Sequence, residues 1–416
     1  MKKTIVAICL LTSMTVFSQW ECRSNLTGHL KPISEGSNIN WAAEVNGSAG
    51  MLSENSFANS MAFLGVDYTK NNHQIFFEGG AKYWYEYDTE LSSQFSNAML
   101  GLRELSYNYF SQKTVLNLGL QQMQLADFIL VNERAWGGSI SHKIGNLHLQ
   151  LNAATVTKDF ARNGTFCANC YLYDIVPSRT YPLGNTWGET NFAGFSFKKK
   201  IDNSKSSSTN DEFSEFADFE SFDDVGNESK KLLQSYGGFL YSEFGTYYNE
   251  TQLFAGVSGE FSLWNFANLK AQGIYQNVSN NNALLIYLKG ERSLDWKSGD
   301  ISTFNATFLG KINIDENATA MPHFSNLFMG EVLRMDMADM PLINVSAKHR
   351  FVDKSLSCKL AYTKQLKGLN MEEANLSISK NFINKHLKTT LITGFMNSDE
   401  LNKTYGLAKI EMRVFF

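Results

Sequence analysis

The chain has 416 residues, of which 43% are hydrophobic, 19% charged and 13% aromatic, and its formal net charge is −4. Because 37 Lys and Arg residues are balanced by 41 Asp and Glu residues, the sequence lacks the strong basic field that binds nucleic acid. The aromatic residues occur without long apolar runs, which favours β-structure over helices.

The first 19 residues have the pattern of a cleaved secretory signal peptide. Lys2 and Lys3 precede a largely apolar stretch from Ile5 to Phe17, and a Ser-Gln pair follows as the cleavage region. We expect residues 20–39 to form an N-terminal periplasmic segment. No later stretch approaches the about 18 apolar residues of a transmembrane helix. The exported chain is therefore either a soluble protein or a β-barrel that crosses a membrane with strands.

Long segments with alternating apolar and polar residues begin near residue 40 and continue to the end of the chain. Leucine occupies every second position from Leu116 to Leu120, and again from Leu147 to Leu151, so one face of each strand is apolar and the other polar. These segments run for about 11 to 16 residues, whereas soluble strands average about five or six and membrane strands need about nine to eleven. Length thus favours membrane strands.

Two cysteines, Cys167 and Cys170, stand in a predicted connection at 162–187. A Cys-x-x-Cys spacing can indicate a redox pair or half of a zinc site, but no second pair with zinc-finger spacing follows. We favour a local disulfide that stiffens the loop in an oxidising compartment. No metal site is predicted here.

An acidic and aromatic insertion occupies residues 203–231. Its four phenylalanines recur at every third position and are Phe213, Phe216, Phe219 and Phe222. Such a segment can remain a solvated, disordered loop because it buries little apolar surface. Alternatively, its phenylalanines dock in a groove of a periplasmic or outer-membrane partner protein.

A methionine-rich stretch follows from Met321 to Met340. Met329, Met335, Met337 and Met340 occur there together with His323, Asp336 and Asp339. Thioether groups can hold copper(I), but methionines more often provide adaptable packing, here in a loop folded into a pore. We favour packing.

Basic residues alternate with apolar residues in the C-terminal strands. The inward-facing basic residues are predicted to be Lys348, Arg350, Lys359, Lys388, Lys409 and Arg413. Basic groups around a pore attract anions, although the same charges can instead pair with acids on the facing wall.

The final strand ends the chain on an aromatic residue. The segment from Gly406 to Phe416, the segments Leu102–Phe110 and Leu116–Gln122, and the pair Gly137-Gly138 together resemble Gram-negative outer-membrane β-barrels of the porin type. The resemblance implies that Phe416 is an assembly signal and that the protein lies in the outer membrane, in contact with its lipid.

We therefore predict an all-β fold, a transmembrane antiparallel up-and-down β-barrel over residues 40–416 with about eighteen strands, sixteen being the lower limit. With both termini in the periplasm, the short turns near Gln112, Gly145 and Ser298 are periplasmic, and the long connections 162–187 and 316–340 are extracellular.

No enzyme motif is present: the sequence has no Gly-x-Ser-x-Gly, no His-Glu-x-x-His and no phosphate-binding loop. We predict a non-enzymatic protein without a cofactor. The two candidate functions are a porin-like channel for small polar or anionic solutes, and an accessory subunit of a multi-protein outer-membrane complex that docks partners through residues 203–231.

Overall fold

A computed structural model gives the structure of most of the chain between residues 26 and 416. It describes residues 26–89, 92–126, 129–156, 189–201, 232–246, 250–263, 266–316, 318, 322, 329, 332, 335, 340–382, 386–398 and 403–416. No helix within these ranges is long and apolar enough to cross a membrane.

The described residues form a short 3-10 helix, Leu26–His29, a two-residue strand β1, Lys31–Pro32, and eighteen long strands. The long strands are β2 (Ile39–Leu52), β3 (Asn55–Lys70), β4 (His73–Asp88), β5 (Ser93–Phe110), β6 (Thr114–Leu125), β7 (Val131–Ile144), β8 (Leu147–Thr155), β9 (Asn191–Lys200), β10 (Leu233–Phe244), β11 (Gln252–Leu263), β12 (Ala267–Val278), β13 (Asn281–Asp295), β14 (Ile301–Asn313), β15 (Leu342–Phe351), β16 (Leu356–Gln365), β17 (Met371–Phe382), β18 (Leu387–Ser398) and β19 (Lys403–Phe415).

The eighteen long strands close into one barrel. Each strand pairs antiparallel with the next, and β19 pairs with β2 in a register that runs from Leu407 opposite Leu52 to Phe415 opposite Glu44. The predicted all-β up-and-down barrel of about eighteen strands is therefore confirmed. A barrel of this size is wide enough to enclose a lumen.

The alternation in the sequence separates two surfaces of this barrel. Along β19 the residues from Tyr405 to Arg413 alternate between buried and exposed, with Lys409 and Glu411 facing inward and Ile410 and Met412 facing outward. Outward leucines such as Leu360, which is 58% exposed, give the exterior the apolar character of a surface that faces lipid hydrocarbon.

The two ends of the barrel differ in the length of their connections. We call the edge at which β2 begins and β19 ends the terminal rim, and the opposite edge the loop rim. Because the strand number is even, the turns near Gln112, Gly145 and Ser298 lie at the terminal rim, as predicted, and the connections 156–190 and 314–341 lie at the loop rim. The connection 201–232, which contains the acidic insertion, is the long one at the terminal rim.

The segment before β2 enters the barrel at the terminal rim. Leu26 is buried against inward-facing Ala42, Met61 and Phe63, and the ring of His29 stacks on Phe415 with 3.8 Å between ring centroids. Burial lowers the pKa of His29 below its ordinary value. The start of the chain thus packs on the inner wall beside the closing strand pair.

Gly119 interrupts the alternation of β6. Its φ of +118° lies where L side chains are rarely found, and the next residue departs from the predicted pattern: Leu118 is 43% exposed, whereas Leu120 is 2% exposed. A Cβ added to Gly119 would approach the carbonyl oxygen of Leu105 on β5 to 2.1 Å. Only glycine fits the backbone at this point of the β5–β6 pair.

We predict that Gly119→Ala destabilises the barrel by roughly 1–3 kcal/mol, because the substitution adds backbone strain to the contact with Leu105. Thermal unfolding of the detergent-solubilised protein, followed by the heat-dependent shift in electrophoretic mobility, should show a lower midpoint. Gly406→Ala is the matched control, since nothing lies within 4 Å of a Cβ at that outward position. Equal midpoints for the two variants would contradict the prediction.

Candidate functional site

The six basic residues predicted to line the lumen come from four strands of one side of the barrel. The structure places all six on the face opposite the outward apolar side chains: Lys348 and Arg350 on β15, Lys359 on β16, Lys388 on β18, and Lys409 and Arg413 on β19. We call this set the basic wall.

Strand register brings like charges together in the basic wall. Lys348 lies directly opposite Lys359 in the β15–β16 pair, and Lys388 lies directly opposite Arg413 in the β18–β19 pair. Like charges that face each other across an antiparallel pair are destabilising. The wall therefore concentrates positive charge where strand pairing alone would avoid it, and this charge favours anions nearby.

The members of the basic wall differ in their access to water. Lys348 and Arg350, near the terminal rim, are exposed, and Lys359 and Lys388 are partly exposed. The two exposed side chains, Lys348 and Arg350, border the aqueous part of the lumen. A hydrated lysine or arginine keeps its charge at little cost, so this part of the wall can meet a solute.

Lys409 and Arg413 are instead buried in ion pairs. Lys409, which is 2% exposed, has its Nζ 2.8 Å from Oε1 of Glu411, and Nη1 of Arg413 lies 3.5 Å from Oε1 of Glu44. Lys409 and Arg413 thus pair with acids beside them, on β19 itself and on the adjacent strand β2.

A second basic cluster, which the sequence analysis did not single out, lies on β9 to β12. The carboxylate of Glu260 is 2.8 Å from Nζ of Lys198 and 3.2 Å from Nζ of Lys270, and it accepts a hydrogen bond from Ser235. The sequence of β9 could have indicated this cluster. Residues three positions apart in a strand point to opposite faces, so an outward Phe195 implies an inward Lys198.

A buried ion pair lies at an irregularity of the β4–β5 pair. The register shifts between Glu78 and Gly79, and Arg103, which is fully buried, has its Nε 3.0 Å from Oε1 of Glu78. The guanidinium also lies over the ring of Phe63 at 4.4 Å. Arg103 is the extra residue that β5 carries at this register shift. An extra residue changes the direction of the neighbouring side chains, and the alternation pattern does not predict it.

Three described residues of the connection 314–341, Met329, Val332 and Met335, lie inside the barrel near the loop rim. Val332 and Met335 are fully buried, and Met329 pairs with Met335 through a backbone bridge. The backbone N–H of Val332 donates a hydrogen bond of 2.8 Å to Oε1 of Glu373 on the inner wall. The expected packing role of the methionine-rich stretch is thus seen for these two methionines, whereas His323 and Met337 lie outside the described residues.

Inward apolar residues surround this connection. They form one cluster with Val332 and Met335, and examples are Leu52, Phe254, Leu309, Met371 and Met396. All five lie in the halves of their strands next to the loop rim. The lumen is therefore not polar throughout: a charged part near the terminal rim adjoins an apolar part near the loop rim.

Several predicted site residues lie outside the described residues. These are the cysteines Cys167 and Cys170 and the phenylalanines Phe213, Phe216, Phe219 and Phe222. Their disulfide and docking roles stay predictions. Phe416 is described: its N–H donates to the carbonyl oxygen of Ala43 at 2.9 Å, which anchors the end of the chain to β2.

The barrel is similar in fold to several solved bacterial proteins. OccAB4 from Acinetobacter baumannii matches with a TM-score of 0.52 at 11% identity, over 91% of this chain and 98% of that chain. OccD3 from Pseudomonas aeruginosa matches with a TM-score of 0.51 at 10% identity, over 93% of each chain. OpdK with vanillate, also from Pseudomonas aeruginosa, matches with a TM-score of 0.51 at 8% identity, over 91% of this chain and 98% of that chain.

No protein-family model matches the sequence, and no curated protein matches it. The structural similarity therefore concerns the fold: the chain has the barrel architecture of porin-like outer-membrane proteins, as its terminal strand and alternation predicted.

We predict that Lys409→Met lowers the free energy of unfolding by about 3–5 kcal/mol, because it leaves the buried carboxylate of Glu411 without its ammonium partner. The double variant Lys409→Met/Glu411→Gln should recover part of the loss, since it removes the remaining charge as well. Chemical unfolding in detergent measures both. A double variant as unstable as the sum of the two single variants would contradict the coupling.

Proposed function

We propose that the protein spans the outer membrane as a channel for small polar and anionic solutes, with the terminal rim in the periplasm. The observation that carries this proposal is the basic wall: Lys348 and Arg350 are exposed on its inward face, and Lys348 lies opposite half-buried Lys359 as a like-charged pair on β15 and β16. Such an arrangement costs stability and gives the lumen a field that attracts anions.

One of the structures with a similar fold also supports a channel for small anions. OpdK was solved with vanillate, a carboxylate. A carboxylate is the kind of small anion that lysine and arginine side chains bind through charge-assisted hydrogen bonds.

Three described residues of the connection 314–341 give the proposed channel a constriction. Met329, Val332 and Met335 are buried in one cluster with inward apolar residues near the loop rim. A dry apolar constriction opposes the passage of ions, because an ion that enters it loses its hydration. Conduction therefore requires this connection to move away from the wall.

Planar-bilayer recordings on the purified protein test the proposal. A channel gives discrete conductance steps, with anions more permeant than cations. A barrel that stays sealed and co-purifies in fixed stoichiometry with another membrane protein would favour the accessory-subunit function and overturn the channel. In that case the insertion 203–231 is the first segment to delete.

We predict that reversing charge at the basic wall lowers anion preference. Lys348→Glu changes the free energy of an anion nearby by on the order of 1 kcal/mol in a hydrated lumen, so the chloride-to-potassium permeability ratio from zero-current potentials should fall about fivefold. The effect should shrink in 1 M salt, where the screening length is only about 3 Å.

Lys380→Glu is the matched control for this measurement. Lys380 lies on β17, one strand from Lys359, but on the outward face with Ile378 and Phe382. It should leave the permeability ratio unchanged. An equal drop in both variants would show that the selectivity does not arise from the basic wall.

We predict that Glu373→Ala raises the open probability about fivefold, since the loss of one hydrogen bond to the backbone of Val332 costs the closed state about 1 kcal/mol. Single-channel recordings measure the change directly. Glu372→Ala is the control, because Glu372 points outward and contacts Tyr362 and Lys364 instead. An unchanged open probability in Glu373→Ala would mean that the connection 314–341 does not close the lumen.

A further inference from the structure

Four basic side chains near the terminal rim lie over aromatic rings on the outward side of the barrel. Lys31 lies 5.1 Å from the ring centroid of Trp41, Arg292 4.5 Å from that of Phe266, Lys354 5.6 Å from that of Phe351, and Lys380 5.1 Å from that of Phe382. Aromatic rings at this level are typical of a membrane interface, and a cation over each ring adds positive charge to that level.

Arg292 differs from the three lysines in its charged group, a planar guanidinium that can donate two parallel hydrogen bonds to one phosphate. It lies within β13, on the same outward face as Leu288 and Leu294, and opposite Phe304 of β14. Phe266 and Phe304 are 62% and 46% exposed. The guanidinium is therefore placed on the lipid-facing wall, close to the terminal rim but inside the strand.

The guanidinium of Arg292 lies over an aromatic ring, and the described part of the chain offers it no carboxylate partner. Among the described residues Arg292 has no ion pair, and its buried Nε has no hydrogen-bond partner. The nearest turn on β13 holds Asp295 at the strand end and Asp300, whose carboxylate accepts hydrogen bonds from Ser298 and from the backbone of Val352. Both acids lie at the terminal rim, and the carboxylate of Asp300 is already engaged in these two hydrogen bonds.

A charged side chain on the lipid face costs free energy that rises with its depth. The cost is relieved when the side chain reaches a headgroup phosphate, which offers the planar guanidinium two acceptor oxygens at once. Stacking on Phe266 covers the flat face of the guanidinium, and its two Nη groups, which unlike Nε are not buried, form the edge where a phosphate can bind.

We propose that Arg292 and Phe266 form a binding site on the outer wall of the barrel for the phosphodiester of a membrane glycerophospholipid. Arg292 binds the phosphate, Phe266 orients the guanidinium, and the outward surface of Leu288 and Phe304 contacts the acyl chains. The lipid belongs to the leaflet that surrounds the terminal rim.

The wall beside this site is fixed by hydrogen bonds. The indole Nε1 of Trp296 donates to the hydroxyl of Ser302 at 2.8 Å, and the same hydroxyl lies 2.8 Å from Nδ1 of His349. His349 in turn meets the ring of Phe351 edge-on at 4.3 Å. These outward side chains on β14 and β15 hold a rigid surface next to the lipid site. The proposal rests on the barrel spanning a membrane and not on channel activity.

Native mass spectrometry of the purified barrel tests the site. The protein is titrated with phosphatidylglycerol carrying palmitoyl and oleoyl chains, and with the diacylglycerol that carries the same chains but no phosphate. We expect one phosphatidylglycerol to be retained, with an apparent affinity about tenfold weaker in Arg292→Gln, since a bond to a charged group is lost. Lys364→Gln, which removes an outward charge near the loop rim, should bind like the wild type.

Equal retention of phosphatidylglycerol by wild type and Arg292→Gln would overturn the proposal, and so would equal retention of the two lipids by the wild type. The second comparison needs no variant, so it decides the question even if Arg292→Gln fails to fold. A barrel that binds the lipid but conducts no ions would leave this site standing and remove the channel, which keeps the two proposals separate.

Discussion

Closure of the sheet between β19 and β2 is the constraint on which the rest of the structure depends. Within hydrocarbon every backbone N–H and C=O must find a partner in the protein, and an open sheet edge would leave a row of them without one. The pairing of β19 with β2 ends at Phe415 and Glu44, so the first residues of β2 extend beyond it. Strand β1 pairs with this extension, Lys31 opposite Trp41, and continues the edge where β19 stops.

Because the wall satisfies its own backbone, the inward side chains are free to serve other purposes, and they do so differently along the lumen. Near the loop rim many of them are apolar, and they bury Met329, Val332 and Met335 of the connection 314–341. Nearer the terminal rim many of them are charged. Whether a charged side chain has an acidic partner depends on how much water reaches it. Lys409 is buried, and its Nζ lies 2.8 Å from Oε1 of Glu411. Lys348 is exposed, and it lies opposite another lysine, Lys359. A buried charge needs a partner, whereas water hydrates the exposed Lys348 and lowers the cost of a second cation opposite it.

The sequence predicted the parts of this fold that depend on period and parity. Alternation placed Ile410 outward and Lys409 inward, and the even strand number put the turn near Gly145 on the same rim as the termini. It could not predict the lumen contents, because those depend on contacts between strands far apart in the chain. The pair Glu78–Arg103 arises from a register shift, Glu260 meets Lys198 across 62 residues of sequence, and the entry of Val332 into the lumen reflects tertiary packing without a repeat to reveal it.

The hydrogen bond between Val332 and Glu373 shows how a closed lumen can remain able to open. Glu373 is fully buried, and its Oε1 also accepts from Nδ2 of Asn375 at 2.9 Å. Burial of a carboxylate is costly unless hydrogen bonds compensate it, and here the connection 314–341 supplies one of them. If the connection leaves, water enters the same space and replaces the lost donor, so the carboxylate stays solvated in both states. The contact therefore holds the closed lumen by only about 1 kcal/mol, the net contribution of one such hydrogen bond once water replaces it on opening.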